Sequence, residues 1–231
     1  MSLTVGNGPF GEHPTGRFDF AAPPRVTFVE VHPRRVRAFK DGETVVDSDR
    51  VKLVYRTGRL PRYAFPAEDV SLPSEPEPAI EGYVTVGWDT VDRWLEEDEE
   101  VIVHVRDPYH RIDVLNTSRR IRVCVNGEEV ADSTGARILY ETGLPPRYYL
   151  PREDVRMDLL DEVPGKETGC AYKGFAGYFS AAGAESIAWT YPDPRRDGEL
   201  IAGRICFFQE RPEVSLEIDG VGQERPVTQW A

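Results

Sequence analysis

Short runs of β-branched and aromatic residues, broken by Gly, Pro or Asp at roughly 8–12-residue spacing, set the texture of this chain. Val26-Thr27-Phe28-Val29-Glu30-Val31 is one such run. Arg35-Val36-Arg37-Ala38-Phe39-Lys40 alternates charged and apolar residues, as a half-buried strand does, and meets Asp41-Gly42 before Thr44-Val45-Val46. An Asp-Gly between alternating runs predicts a hairpin, because both turn positions need positive φ. Val51–Tyr55 predicts a further strand and Thr57-Gly58 a turn. Pro61 and Pro66 then bracket a short strand or edge segment. Ser71–Ile80 reads as a loop and Gly82–Val86 as a strand. Val101–Val105 and Ile201–Phe208 read as strands, the latter long and apolar, and Ile187–Pro194 as a strand closed by a proline turn. Long amphipathic helical patterns are hard to find. The expectation is an all-β (mainly β) protein of barrel-like or sandwich modules with few short helices.

The same order of elements returns once. With Gly42 set on Gly127, an offset of 85, residues 34–70 lie on 119–155 without a gap, and eighteen of the 37 positions are identical. Shared residues include Asp47-Ser48 with Asp132-Ser133, Tyr55 with Tyr140, and Thr57-Gly58 with Thr142-Gly143. Pro61-Arg62-Tyr63 matches Pro146-Arg147-Tyr148, and Glu68-Asp69-Val70 matches Glu153-Asp154-Val155. So high an identity reads as an internal duplication. Two tandem modules follow, at 25–108 and 109–231, behind a Gly/Pro-rich arm at 1–24 that is an irregular lead-in or a lid. Val214–Gly220 echoes Ile121–Gly127 more weakly, as if the last copy of a strand closes a sheet begun by an earlier one.

Composition narrows the function. A net charge of −12 disfavours binding to a nucleic-acid backbone or an anionic membrane. Arginine clusters at Arg34–Arg37 and Arg119–Arg122 leave room for a local basic pocket. Three widely spaced cysteines with no Cys-x-x-Cys argue against a disulfide framework or a zinc finger. With no signal-peptide pattern and no apolar run long enough to span a bilayer, a cytoplasmic protein is expected. The acid run Glu96–Glu100 reads as a solvated turn or short helix, because consecutive acids lack the alternating spacing of a calcium loop.

Candidate chemistry concentrates in Arg106-Asp107-Pro108-Tyr109-His110-Arg111-Ile112-Asp113. Histidine titrates near neutral pH and is a natural acid/base. Arginine offers a fixed fork for carboxylate or phosphate. If this stretch is an extended strand, Tyr109, Arg111 and Asp113 share one face and His110 points to the other. Its other reading is a turn with ion pairs at a module junction. Residues that both copies keep read as scaffold. Those that break the symmetry are more informative: Glu141 for Arg56, Leu144 for Arg59 and Tyr149 for Ala64. Cys170, Tyr172 and Lys173 sit in a glycine-bounded turn with no equivalent in the first copy. Cys170 is a nucleophile if Lys173 activates it, and otherwise an ordinary thiol. Trp189 and Tyr191 stack on a planar ligand or fill a core. P-loop, dinucleotide-binding, zincin and nucleophile-elbow motifs are absent.

Several of these motifs together resemble the bacterial domain of unknown function 427 family, in its two-copy form, over roughly residues 25–220. They are Trp94–Glu99, Arg106–Leu115, Glu141–Pro145 with Arg147–Pro151, Cys170–Gly174 and Trp189–Pro194. Ala171 departs from the proline usual at that place. The resemblance implies a compact, mainly β domain with a nucleotidyltransferase-like label. The chain has no Gly-Ser followed by Asp-x-Asp, the usual arrangement for holding two metals and a triphosphate.

Three functions follow. The first is binding of a small anionic or planar molecule near the module junction. Its candidates are Asp107, Tyr109, Arg111, Asp113, Arg119, Arg120, Glu141, Arg147, Tyr148, Tyr172 and Trp189. The second is an enzyme, transferase-like, with His110 as acid/base and Cys170 or Lys173 as nucleophile. The third is a structural or interaction module. The sequence specifies no metal set, cofactor or oligomeric state.

Overall fold

The structure, a computed structural model, describes residues 3–228. Strands make up 47% of it and helix 8%, so the chain is all-β with few short helices. The helical residues lie in 3-10 turns. Among the described residues the sheets stay open and none closes into a barrel, so the barrel-like alternative falls away. The chain divides into two compact units between His110 and Arg111.

The first unit contains β1 (Thr27–Val31), β2 (Val36–Lys40), β3 (Glu43–Ser48), β4 (Lys52–Arg56) and β5 (Arg59–Pro66). It continues with β6 (Glu75–Pro76), β7 (Tyr83–Thr85), β8 (Arg93–Glu96) and β9 (Glu99–Val101). One sheet runs β1-β4-β5-β7-β6 and the other β3-β2-β8-β9. Their inner faces share one core. Val36 and Ala38 of β2 and Trp94 of β8 meet Leu53 and Tyr55 of β4 and Tyr63 and Phe65 of β5. The N-terminal lead-in is irregular. It is strapped to the β4–β5 turn, where the Gly58 amide donates to the Thr4 carbonyl (2.8 Å) and the Thr57 hydroxyl to the Phe10 carbonyl (3.0 Å).

The second unit contains β10 (Ile112–Asn116), β11 (Ile121–Val125), β12 (Glu128–Ser133), β13 (Arg137–Glu141) and β14 (Arg147–Tyr149). After these come β15 (Leu160–Cys170), β16 (Gly174–Ala181), β17 (Ala184–Thr190), β18 (Cys206–Phe207), β19 (Val214–Ile218) and β20 (Val221–Gly222). Three sheets form, β10-β13-β14, β12-β11-β19-β20 and β15-β16-β17-β18. The last feeds two cores. Phe179 and Ile187 pack with Ile121, Val123 and Leu216, whereas Ala176, Trp189 and Tyr191 pack with Leu139, Tyr149 and Ile201.

The same contacts recur in both units 85 residues apart, and they explain most of the shared residues. Asp41-Gly42 and Asn126-Gly127 are two-residue hairpin turns with φ of 50° and 82°, and 48° and 84°. A glycine at the second position avoids the clash a Cβ suffers there. Both hairpins carry a bulge at the same place, between Ala38 and Phe39 and between Val123 and Cys124. The buried Ser48 hydroxyl donates to Asp69 (2.6 Å) and accepts the Arg50 amide (3.1 Å). Ser133 donates to Asp154 (2.6 Å) and accepts the Gly135 amide (3.0 Å). Arg35 forks onto Asp47, and Arg120 onto Asp132. Thr57 accepts the Val26 amide (3.1 Å) and Thr142 the Arg111 amide (2.9 Å). β8 pairs with β2 as β19 pairs with β11, which places the Val214–Gly220 echo inside the second unit.

Three predicted elements differ. Val101–Val105 is not one strand: β9 stops at Val101, and Val103 takes φ 67°, outside the strand region. Ile201–Phe208 is not a long strand either. Ile201 ends a 3-10 turn, and only Cys206–Phe207 pairs, beside β17. The acid run is neither wholly solvated nor helical. Glu96 ends β8 with its side chain buried, and Glu97-Asp98 form the hairpin turn to β9.

Ser133→Ala is expected to cost about 1–2 kcal/mol, because it strips a hydroxyl that serves as donor and acceptor at once. Urea denaturation of the variant checks this. Ser48→Ala, in the matching position, should cost a similar amount.

Candidate functional site

The central stretch does not fold as one strand. The His110 amide donates back to the Asp107 carbonyl (3.0 Å), which makes a turn, and β10 begins only at Ile112. The alternation that placed Tyr109, Arg111 and Asp113 on one face therefore does not apply. Asp107, 3% exposed, accepts the Tyr109 amide (2.8 Å) and the Leu3 amide (3.3 Å). The Tyr109 hydroxyl donates to Glu30 (2.9 Å), as does that of Tyr55 (2.7 Å), and the two rings meet edge to face at 5.9 Å. Burial, followed by hydrogen bonding to Glu30, drives the Tyr55 phenol far above its ordinary pKa, so it remains a donor. Arg111 and Asp113 belong to the second unit and pair with each other on its surface (2.9 Å).

The other two candidate arginines are also paired on the surface. Arg119 binds Asp219 (2.8 Å), and Arg120 binds Asp132. Both pairs are exposed, where an ion pair contributes little. Tyr148 is half-buried beside them.

The remaining candidates gather in the second core of the second unit. Glu141 ends β13, and Lys173 sits in the turn between β15 and β16. Their side chains form an ion pair, each 7% exposed. Arg147 of β14 forks onto Glu210 (2.5 and 2.7 Å), with both groups buried, and its guanidinium lies 5.4 Å from the centre of the Trp189 ring. The Trp189 indole donates to the Tyr149 hydroxyl (3.1 Å). Tyr172 is buried and Cys170 half-buried, and Cys170 packs against this core. The Lys173 ammonium is directed at Glu141, and that carboxylate is its counter-ion. Burial pushes the Cys206 thiol up to about 12, leaving it an inert core group.

The unit-one counterpart of Glu141 is Arg56, and it too meets an opposite charge: Arg56 pairs with the buried Glu77. The same end of the same strand thus carries an ion pair in both units, with its polarity reversed.

Two groupings escaped the sequence reading. In the first unit Glu96 accepts from the Tyr63 hydroxyl (2.6 Å) and pairs with Arg34 and with His32 (3.1 Å), with His32 and Glu96 both buried. Burial alone would raise the Glu96 pKa. The hydrogen bonds from His32, Tyr63 and Arg34 outweigh it and bring the carboxyl down to about 2. Only the strand pairing of Glu96 beside Val36 sets it apart from the four acids that follow. In the second unit Tyr178 and Phe208 lie nearly parallel (6.3 Å, 6°), and Phe208 meets Trp189 at 4.4 Å. Lys166 lies 4.9 Å from the centre of the Tyr178 ring, and Thr168 hydrogen-bonds its hydroxyl (2.6 Å). No local pattern marks this row, because Tyr178 lies on β16, Trp189 on β17 and Phe208 beyond β18.

Among the described residues no three His, Cys, Asp or Glu side chains converge as a metal site, and no helix is long and apolar enough to cross a membrane. Residues 113–220 match the family described as a domain of unknown function (DUF427), and the second unit is a domain of that family. A comparison with curated proteins finds no match.

Two outcomes test these placements. Lys173→Met is expected to destabilise the protein by about 3–5 kcal/mol, because Glu141 is left buried without its counter-ion, while Glu141→Leu with Lys173→Met should recover most of the loss. Chemical denaturation of the single and double variants measures both. The Glu96 carboxyl, ordinarily near 4.5, is held near 2 in the folded state. Its stabilisation is complete above about pH 4.5 and is lost as pH falls toward about 2, a change of roughly 3 kcal/mol. Stability curves over that range should therefore be flatter for Glu96→Gln than for the parent.

Proposed function

We propose that this chain, with its DUF427 domain, is a binding protein for a small planar anion, and that the aromatic row of the second unit carries the contact. The observation behind this reading is the row itself. Tyr178 and Phe208 are half-buried rather than core, they lie parallel, and they run into Trp189. A flat molecule gains most by stacking on such rings. Lys166, already over the Tyr178 ring, supplies the positive charge for an anionic group. Arg147 and Lys173 do not fill that role, because Glu210 and Glu141 neutralise them.

The recurrence of contacts at an offset of 85 supports a duplicated origin for the two units. In this reading the first copy keeps the scaffold, and the second adds the sheet β15-β16-β17-β18 that bears the row. A small binding site on a rigid sheet needs only a few fixed rings and one charge.

Thermal shift with a panel of flat anions, such as nucleoside monophosphates, flavin mononucleotide and aromatic carboxylates, should show stabilisation by at least one of them. Phe208→Ala should abolish that shift, and Lys166→Met should weaken it about tenfold in affinity, the loss of one charge-assisted contact. Stabilisation by none of the panel, or binding unchanged in both variants, would sink the reading.

A further inference from the structure

We propose that Arg137 and Arg204 of the second unit form a binding site for a dianionic phosphate group. The site shares no residue with the aromatic row and stands independently of it. Arg137 opens β13, opposite Asn116 of β10, and Arg204 lies in the connection between the 3-10 turn Arg196–Ile201 and β18. Each side chain reaches across to the other's segment. The Arg137 guanidinium donates to the Leu200 carbonyl and, through Nε, to the Asn116 side-chain oxygen (3.2 Å). The Arg204 guanidinium donates to the carbonyl of Gly135, just ahead of Arg137 (2.9 Å). This reciprocal lacing draws two cations together where both remain partly exposed.

All three acceptors are neutral oxygens. Among the described residues neither guanidinium forms an ion pair. Other arginines of this unit do: Arg119, Arg120, Arg122, Arg156 and Arg211 each pair with an aspartate or glutamate. Two acids in the neighbourhood do not close the gap. Glu153 and Asp154 each act on Arg204 more weakly than Arg137 does, and Asp154 already accepts the Ser133 hydroxyl (2.6 Å). Burial first, and then repulsion from Arg137, lower the Arg204 pKa. Like charges held together without a counter-ion leave a demand that an anion meets.

The first unit manages the same scaffold without such a pair. Lys52 holds the position of Arg137 and lies over the Tyr83 ring (4.9 Å). Arg50 holds the position of Gly135 and pairs with Glu68 and Asp69, the counterparts of Glu153 and Asp154. The second unit gives up that ion pair. Glycine replaces the arginine, and its carbonyl now anchors Arg204. Arg204 thus arrives near the same acids yet bonds to the backbone, which orients its guanidinium without neutralising it. A fork held by neutral oxygens keeps its charge and its remaining N–H donors for a ligand. Two forks suit an oxyanion, and two positive charges suit one with two negative charges, which a phosphate group nearly carries at neutral pH.

The test is calorimetric titration of the full chain with inorganic phosphate, glycerol 3-phosphate and acetate at constant ionic strength and a pH of about 7.5, where phosphate is mostly dianionic. Saturable binding of phosphate is expected, with the singly charged acetate at least about tenfold weaker. Arg137→Met and Arg204→Met should each weaken phosphate binding at least about tenfold, and their melting temperatures without phosphate will show that they are folded. Modification of the parent chain by phenylglyoxal, mapped by mass spectrometry, needs no variant. Phosphate at a few times its Kd should slow the reaction at Arg137 and Arg204 at least about threefold and leave the exposed Arg62 of the first unit unaffected. Glycerol 3-phosphate binding as well as inorganic phosphate supports the site and places the group on a larger molecule. Its exclusion supports the site for the free ion. No saturable binding of either phosphate probe up to about 10 mM overturns the proposal. So do acetate binding equal to phosphate, binding unchanged in both folded variants, and equal modification with and without phosphate. Phosphate binding lost in Lys166→Met instead would place the anion at the aromatic row and overturn it as well.

Discussion

A charge buried at the end of a strand must be met by an opposite charge, and both units are built around that requirement. The strand is β4 in the first unit, where the partly exposed Arg56 answers the buried Glu77, and β13 in the second, where the buried Glu141 meets Lys173. An unpaired ion there would cost several kcal/mol. The counter-charge comes from the segment that follows the second strand downstream. In the first unit that is the turn before β7, where Glu77 meets Arg56 and also accepts the Ala79 amide (3.0 Å). In the second it is the turn between β15 and β16, which delivers Lys173. Reversing the sign of the pair keeps its tethering role while letting two different segments perform it. A residue pair that would look catalytic in isolation, a buried lysine on a glutamate, is thereby explained as scaffold.

The other departures between the units follow from what each segment covers. The hairpin that carries Lys173 continues into a four-stranded sheet, and that sheet lies on the same face as Glu141. Positions that are small or solvated in the first unit must now fill space or find partners. Ala64 becomes Tyr149, which is fully buried and accepts the Trp189 indole. The exposed Arg62 becomes the buried Arg147, which needs Glu210 as a bidentate partner to be tolerated there. One added sheet accounts for the buried tyrosine, the buried arginine and the glutamate that answers it.

Much of the scaffold was legible in the sequence because local chemistry fixes it. Asp41-Gly42 and Asn126-Gly127 announce turns with positive φ at both positions, and the repeat at offset 85 carries over strand by strand. The shared Asp-Ser and Glu-Asp-Val motifs have a direct explanation in the Ser48–Asp69 and Ser133–Asp154 hydrogen bonds. The failures are non-local. Val101–Val105 has strand composition, but a positive φ at Val103 turns it away from pairing. Glu96 looks like one of five solvated acids, and only its register beside Val36 turns it inward. Glu210 has no local signal at all, since its role depends on an arginine 63 residues earlier. The fate of Arg111, Arg119 and Arg120 depends in the same way on aspartates that alternation cannot foresee.

The central motif shows why a dense cluster of polar residues in sequence need not be a cluster of chemistry. Its first part, through His110, belongs to the first unit, where Asp107 and Tyr109 complete the hydrogen bonding of Tyr55 and Glu30. Its second part opens β10, which repeats the role of β1, with the Arg111 amide bound to Thr142 as the Val26 amide is to Thr57. Two scaffolding tasks in succession suffice to explain the composition of the stretch. Residues with such a repeated task cannot, by themselves, distinguish what one unit does from what the other does. That distinction has to rest on positions where the task is missing in one unit. At Tyr178 and Phe208 a row of rings has no first-unit counterpart. Function is therefore sought in what the second unit adds beyond the scaffold the two units share.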